Sequence, residues 1–207
     1  MNDVHVKEYS MARRTEADRA AMRARVLESA REMIAEDGPG AISARALAKR
    51  AGLLPGSLYN LFPSIEDIRL AALGDVLRGL GDALAEVSQT LPPRERMHEY
   101  ARRYVVFISR NENAWNALFE YRRNASLPAP DWYRSHIGRL TTMIGQCFAD
   151  LSPGRPVREA KRQAHLLWAG IYGITALATE GRLDSIMDGP FDELVSQLVE
   201  THLAAFD

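Results

Sequence analysis

The chain has 207 residues, 46% hydrophobic and 26% charged, the balance of a globular protein with apolar material for one large or two small packed domains. With 26 Lys and Arg against 27 Asp and Glu the net charge is −1, so any surface for a polyanion has to be local. One cysteine, Cys147, excludes an intrachain disulfide and reads as a buried apolar residue in a reducing, cytoplasmic setting. No segment reaches the ~18 uninterrupted apolar residues of a membrane span, and residues 1–10, with Asp3, Lys7 and Glu8, lack the apolar run of a signal peptide.

Helical periodicity recurs from end to end, and clusters of Pro and Gly cut it into about nine pieces, which predicts an all-α fold. The first helix is expected to start near Thr15, behind a flexible tail over residues 1–12, with Met22, Val26, Ala30 and Met33/Ile34 on one face and Gly38 ending it. A short helix follows from Ser43, a good N-cap, to Ala51. Another holds Gly56 to Phe62. Pro63 stops it, and Ser64 and Asp67 start a long helix at capping-box spacing. Five longer helices are expected at roughly 93–110, 113–124, 130–151, 157–180 and 190–206. Two of these carry stripes of the kind buried in helix bundles: Tyr133, Ile137, Leu140, Ile144, Cys147 and Leu151, then Ala160, Ala164, Leu167, Ile171, Ile174 and Ala178.

Residues 39–65 contain Arg45, Lys49 and Arg50 and no Asp or Glu, and the first helix adds Arg13, Arg14, Arg19, Arg23 and Arg25. A polyanion would contact such a zone, although three cations on a short helix are equally a solvated face. Gly52-Leu53-Leu54-Pro55 joins two short helices in a helix-turn-helix pattern. Ala48 and Ala51 allow a close crossing, Gly52 permits positive φ, and Leu47, Leu58 and Phe62 are the expected anchors on the first helix. Ser57, Tyr59 and Asn60 then project outward, as groups suited to base edges and phosphates. On periodicity alone the same residues make a generic helical hairpin.

The run Ala46-Leu47-Ala48-Lys49-Arg50-Ala51-Gly52, followed by Gly56-Ser57-Leu58-Tyr59-Asn60-Leu61-Phe62-Pro63-Ser64, resembles the DNA-binding domain of the TetR family of bacterial repressors. Gly38 and Ser43-Ala44-Arg45 fit the same pattern, and the likeness covers about residues 15–70. Pro130-Asp131-Trp132-Tyr133 and Leu167-Trp168-Ala169-Gly170-Ile171-Tyr172-Gly173 resemble the branch with a Trp-His-Gly type C-terminal domain, with Tyr172 at the place of the histidine. The resemblance implies a helix-turn-helix domain over residues 13–63 and a ligand-binding and dimerisation domain over residues 64–207. It implies DNA contacts from Arg14, Ser43, Arg45, Pro55, Gly56, Ser57, Tyr59 and Asn60. The chain departs from the family at three positions. Leu54 stands where a capping Ser or Thr is usual, Leu61 where a His or Tyr touches phosphate, and Ile65 where a Lys does. Ser43, Arg45, Ser57, Tyr59 and Asn60 are left to carry more of the binding.

Aromatic residues crowd the central helices, and apolar cavities with a few polar groups are how small molecules are held. Tyr104, Trp115, Phe119, His136, Met143, Trp168 and Tyr172 are the candidate effector contacts. The last two helices carry small residues and a broad apolar face, and a two-chain four-helix bundle would cover it, with Ile171, Ile174, Leu194 and Leu198 at the interface. The histidines at positions 5, 98, 136, 165 and 202 are scattered, so no metal site is expected. No nucleophile elbow, phosphate-binding glycine loop or H-E-x-x-H occurs, so neither a catalytic residue nor a cofactor is expected. The expected protein is a cytoplasmic homodimeric repressor, not an enzyme, that leaves a palindromic DNA operator when a small apolar or aromatic effector binds. The competing reading is a helical enzyme or small-molecule-binding protein whose hairpin does not bind DNA.

Overall fold

A computed structural model describes the backbone of residues 3–124, 131–186 and 188–206, and side chains at 16–38, 40–118, 131–183, 185–186 and 188–206. Among them there are nine α-helices, two short 3-10 turns and no strand. The chain divides into two compact units, residues 1–73 and 74–207.

The first unit holds α1 (Asp3–Asp37), a 3-10 turn (Pro39–Ala41), α2 (Ala44–Ala51), α3 (Pro55–Tyr59) and the opening turns of α4 (Ile65–Ala85). The helix α1 starts well before the expected Thr15, because no Gly or Pro interrupts residues 1–37. Val26, Ala30, Met33 and Ile34 of α1 are buried together with Leu47, Leu58 and Phe62, the apolar anchors expected of the hairpin, and with the small Ala48 and Ala51. Ser43 Oγ accepts the Ala46 amide at 3.2 Å and caps α2. Gly52 ends it with φ 66°, and the Leu53 amide turns back to Ala48 O at 2.8 Å, the left-handed stop that only glycine adopts without strain. Ser64 Oγ takes the Asp67 amide at 3.1 Å and starts α4.

The second unit takes the rest of α4 with α5 (Pro93–Arg110), α6 (Glu112–Asn124), α7 (Asp131–Leu151), α8 (Val157–Thr179), a 3-10 turn (Leu183–Ser185) and α9 (Phe191–Ala204). There α7 packs along α8, α8 along α9, and α5 against both α7 and α9. Leu140, Ile144, Cys147 and Phe148 of α7 and Ala160, Ala164, Leu167 and Ile171 of α8 are buried. The α8 stripe continues through the buried Thr175, while Ile174, expected in it, is half-buried one position round the helix. Cys147 is fully buried, and burial lifts its thiol to about 11, as an inert core residue requires. Gly170 brings α8 onto α9: a Cβ there would lie 2.7 Å from Leu198 Cδ2.

Arg96, 5% exposed, is a buried charge. It pairs with Asp150 of α7 and donates to Gln89 Oε1 at 3.1 Å, and Gln89 in turn donates to the Tyr100 hydroxyl at 3.2 Å. Such a guanidinium is tolerated inside only with its partners in place. Among the described residues no group of three or more His, Cys, Asp and Glu is placed to hold a metal, and no helix is long and apolar enough to cross a membrane.

Candidate nucleic-acid interface and effector cavity

The surface of α2 and α3 is polar, while its underside is the buried Leu47, Ala48, Ala51 and Leu58. Ser43, Arg45, Pro55, Gly56, Tyr59 and Asn60 are exposed and Ser57 is half-buried, so these seven candidate contacts sit on one short hairpin. The Arg14 side chain lies outside the described residues. Tyr59 is 55% exposed although it is large and aromatic.

The family's phosphate-contact positions are remade. Leu61 is buried and Ile65 half-buried, so both join the packing that fixes the start of α4. Leu54 is the N-cap residue of α3, offers its helix no side-chain hydrogen bond, and is 76% exposed. Pro55 follows at the first turn, where its missing N–H costs nothing.

Three arginines assigned to the basic zone do other work. Arg19 Nη2 donates to Asn60 O at 2.9 Å and Arg23 Nη1 to Leu61 O at 2.7 Å, with the Arg23 guanidinium 4.0 Å above the Phe62 ring centroid. These contacts satisfy carbonyls at the end of α3 and hold it to α1. Arg50 reaches back to α1, at 3.0 Å from Glu32 and in a two-pronged pair with Glu36 at 2.5 and 2.6 Å. The hydrogen bonds from Arg50 hold the Glu36 carboxyl below its ordinary value. The positive charge free on this face is therefore narrower than the sequence suggests. Arg45 and Lys49 are exposed on α2 and make no hydrogen bond or ion pair among the described residues.

In the second unit an apolar cavity of about 50 Å³ opens between α4, α5, α6, α7, α8 and α9. Tyr104, Trp115, Trp168 and Tyr172, named from three separate stretches of sequence, all line it. Tyr104 and Trp115 meet edge to face at 6.0 Å, and Trp168 and Tyr172 lie 5.5 Å apart. His136 and Met143 do not line it; their neighbours Ile137 and Ile144 do, because one residue along α7 is a rotation of about 100°. Burial, with Arg78 and Arg139 nearby, holds the His136 imidazole below its usual pKa. The Phe119 side chain lies outside the described residues. Plain aliphatic residues such as Leu77, Leu80 and Leu84 of α4 complete the wall, and nothing in their periodicity separates a cavity lining from a filled core.

A family model for bacterial regulatory proteins of the tetR family matches residues 26–72, and one for the tetracyclin repressor-like C-terminal domain matches residues 97–202. The chain belongs to the tetR family. It is a DNA-binding transcriptional regulator whose helix-turn-helix is the α2–α3 hairpin. A tetR-family transcriptional regulator from Streptomyces coelicolor shares its fold at 19% identity, with a TM-score of 0.69 over 91% of this chain and 84% of that one. So does Thermus thermophilus FadR, a TetR-family repressor in complex with lauroyl-CoA, at 19% identity and a TM-score of 0.66 over 87% and 93%. A transcriptional regulator from Rhodococcus sp. RHA1 matches at 19% identity and a TM-score of 0.64 over 89% and 95%. No curated protein matches the chain by sequence.

Proposed function

We propose that this tetR-family regulator is a cytoplasmic homodimeric repressor, released from a palindromic operator by a small apolar or aromatic effector bound in the second unit. The reading head covers residues 13–63 and the effector and dimerisation domain residues 64–207. The observation that carries the reading is the small cavity lined by Tyr104, Trp115, Trp168 and Tyr172, with no charged side chain among the described residues of its wall. At about 50 Å³ it is smaller than the engineered cavity of about 150 Å³ that takes up benzene. A ring-sized effector has to push the wall helices apart. A molecule that binds only the spread arrangement is what shifts a two-state equilibrium. The helix α4 runs from Ile65 to Ala85, beginning within the compact first unit and supplying Leu77, Leu80 and Leu84 to the cavity wall. A 100-fold loss of operator affinity requires about 2.7 kcal/mol of coupling, within the usual allosteric range.

Support for dimerisation comes from the outer side of α8 and α9. Leu166 is 53% exposed, Ala169 and Gly173 are exposed, and Ile174, Leu194 and Leu198 are half-buried. Ile171, named beside them from sequence, is turned inward to the cavity and leaves the proposed interface. Two chains joined there would carry two recognition helices to major grooves about 34 Å or a multiple apart. The FadR neighbour is a repressor in complex with lauroyl-CoA, which supports a response to a small molecule in this fold.

The test is a gel shift with the DNA flanking the protein's own gene. One retarded complex containing two chains is expected, weakened for all sequences by Tyr59→Phe, whereas Asn60→Ala relaxes preference at one base pair. Retention by no duplex over random sequence overturns the reading. A solution mass of one chain at micromolar concentration removes the dimer.

A further inference from the structure

A directional chain of hydroxyl groups runs inward from the cavity wall. Thr175 on α8 is fully buried, and its Oγ1 lies 2.7 Å from Ile171 O, one turn back. A carbonyl only accepts, so the single Thr175 proton is committed there. Tyr104 on α5 places its hydroxyl 2.6 Å from the same Thr175 oxygen. That bond needs a proton, and Tyr104 is the only one of the two with a proton left to give. The chain therefore runs from Tyr104 to Thr175 to the Ile171 carbonyl. The Tyr104 oxygen retains acceptor capacity, and its residue forms part of the cavity wall.

The described wall favours an occupant without charge. Among the described residues the lining contains no Lys, Arg, His, Asp or Glu. Burial pushes the Tyr104 phenol well above its usual range, so the hydroxyl stays neutral. A carboxylate, phosphate or ammonium placed there would be desolvated with no counter-charge from the described residues of the wall.

We propose that the effector is a neutral, largely apolar molecule with one hydrogen-bond donor, and that this donor is received by Tyr104 Oη. The proposal deepens the reading of the cavity as the effector site and rests on it. Molecules that offer only an acceptor gain nothing from Tyr104, because its proton already points at Thr175.

The experiment compares 4-ethylphenol, 4-ethyltoluene, 4-ethylanisole and 4-ethylbenzoate on the full-length protein, by thermal shift and by quenching of tryptophan fluorescence. The phenol is expected to bind about tenfold more tightly than the toluene, its near-isostere, and than the anisole, and the benzoate weakest. In Tyr104→Phe the preference for phenol over toluene collapses while toluene affinity holds. In Thr175→Val, which frees the Tyr104 proton, the anisole gains on the toluene. Equal binding of phenol and toluene, tighter binding of the benzoate, or a phenol preference that survives Tyr104→Phe overturns the proposal while leaving the cavity as a binding site. Binding of none of the four removes the cavity reading, and the proposal with it. The wild-type series alone decides the donor question should either variant fail to fold.

Discussion

The two units place their polar contacts differently. In residues 1–73 hydrogen bonds secure helix ends near the surface: Ser43 caps α2, Ser64 caps α4, and Arg19 and Arg23 close the end of α3. In residues 74–207 polar groups run through the interior, as Arg96 with Asp150 and Tyr104 with Thr175, beside unfilled space. The first pattern specifies one arrangement of a short hairpin. The second leaves a small cavity between its helices. Under the proposed function, a pinned hairpin at the reading head and unfilled space at the effector site is the division that a switch requires.

The largest expected effects come from deleting one fully buried ring in each unit. Phe62→Ala and Phe148→Ala should each cost about 3–5 kcal/mol. Phe62 carries the Arg23 guanidinium on its face, so its loss also frees the end of α3. Operator binding should vanish in Phe62→Ala, with ligand binding to the second unit retained. Phe148→Ala should weaken ligand binding first. Denaturation followed separately by tryptophan fluorescence, whose three reporters all lie beyond residue 73, and by operator binding separates the two. Equal effects of both variants on both readouts would break the comparison.

Next in size is the α8–α9 contact. Gly170→Ala forces the Leu198 methyl aside, which offsets the helix-propensity gain of up to about 1 kcal/mol, so this variant should be less stable than Gly173→Ala. At Gly173 a Cβ meets nothing within 4 Å, so Gly173→Ala should stabilise the isolated chain by up to about 1 kcal/mol through helix propensity. Melting temperatures of the two variants, measured over a range of concentrations, tell a packing seam from a surface open to a second copy. A concentration-dependent loss in Gly173→Ala alone would mark that face as the contact between copies.

How legible each unit is in sequence follows from the same division. Ser43, Gly52, Pro55 and Ser64 act on backbone within a few residues of themselves, so spacing alone placed the hairpin. The arginines misled, because a helix sequence does not show whether an exposed cation faces solvent, caps a neighbouring helix or pairs across to it. Arg19, Arg23 and Arg50 differ from Arg45 only in what folding brings beside them. In the second unit four aromatics were found because large rings on apolar faces meet wherever helices converge. His136 and Met143 stand one position from the lining residues Ile137 and Ile144, and nothing in the spacing of α5 marks Arg96 as buried.

A smaller effect sharpens the reading of the arginines. Arg45→Ala should reduce the salt dependence of operator binding by about one unit of log–log slope, as the loss of one phosphate contact does. Arg50→Ala should leave the slope nearly unchanged, since its guanidinium is held by Glu32 and Glu36. Operator titrations across a range of potassium chloride measure both. A slope reduced equally by the two changes would return Arg50 to the DNA face.

The smallest expected effect concerns Leu54. This residue has the extended backbone of an N-cap, φ −80° and ψ 146°, yet presents a hydrocarbon to solvent and no acceptor to α3. The first amides of α3 lack a side-chain partner, and Pro55 removes only one of them. Leu54→Ser supplies the oxygen without altering the backbone. The exposed leucine buries little, so little hydrophobic stabilisation is given up. The gain should be about 0.5–1 kcal/mol, the usual worth of such a cap. It should appear as a higher urea midpoint with an unchanged slope, together with modestly tighter operator binding from a recognition helix that frays less. A lower midpoint would mean that Leu54 has an apolar partner in the working protein and was retained for contact rather than for capping.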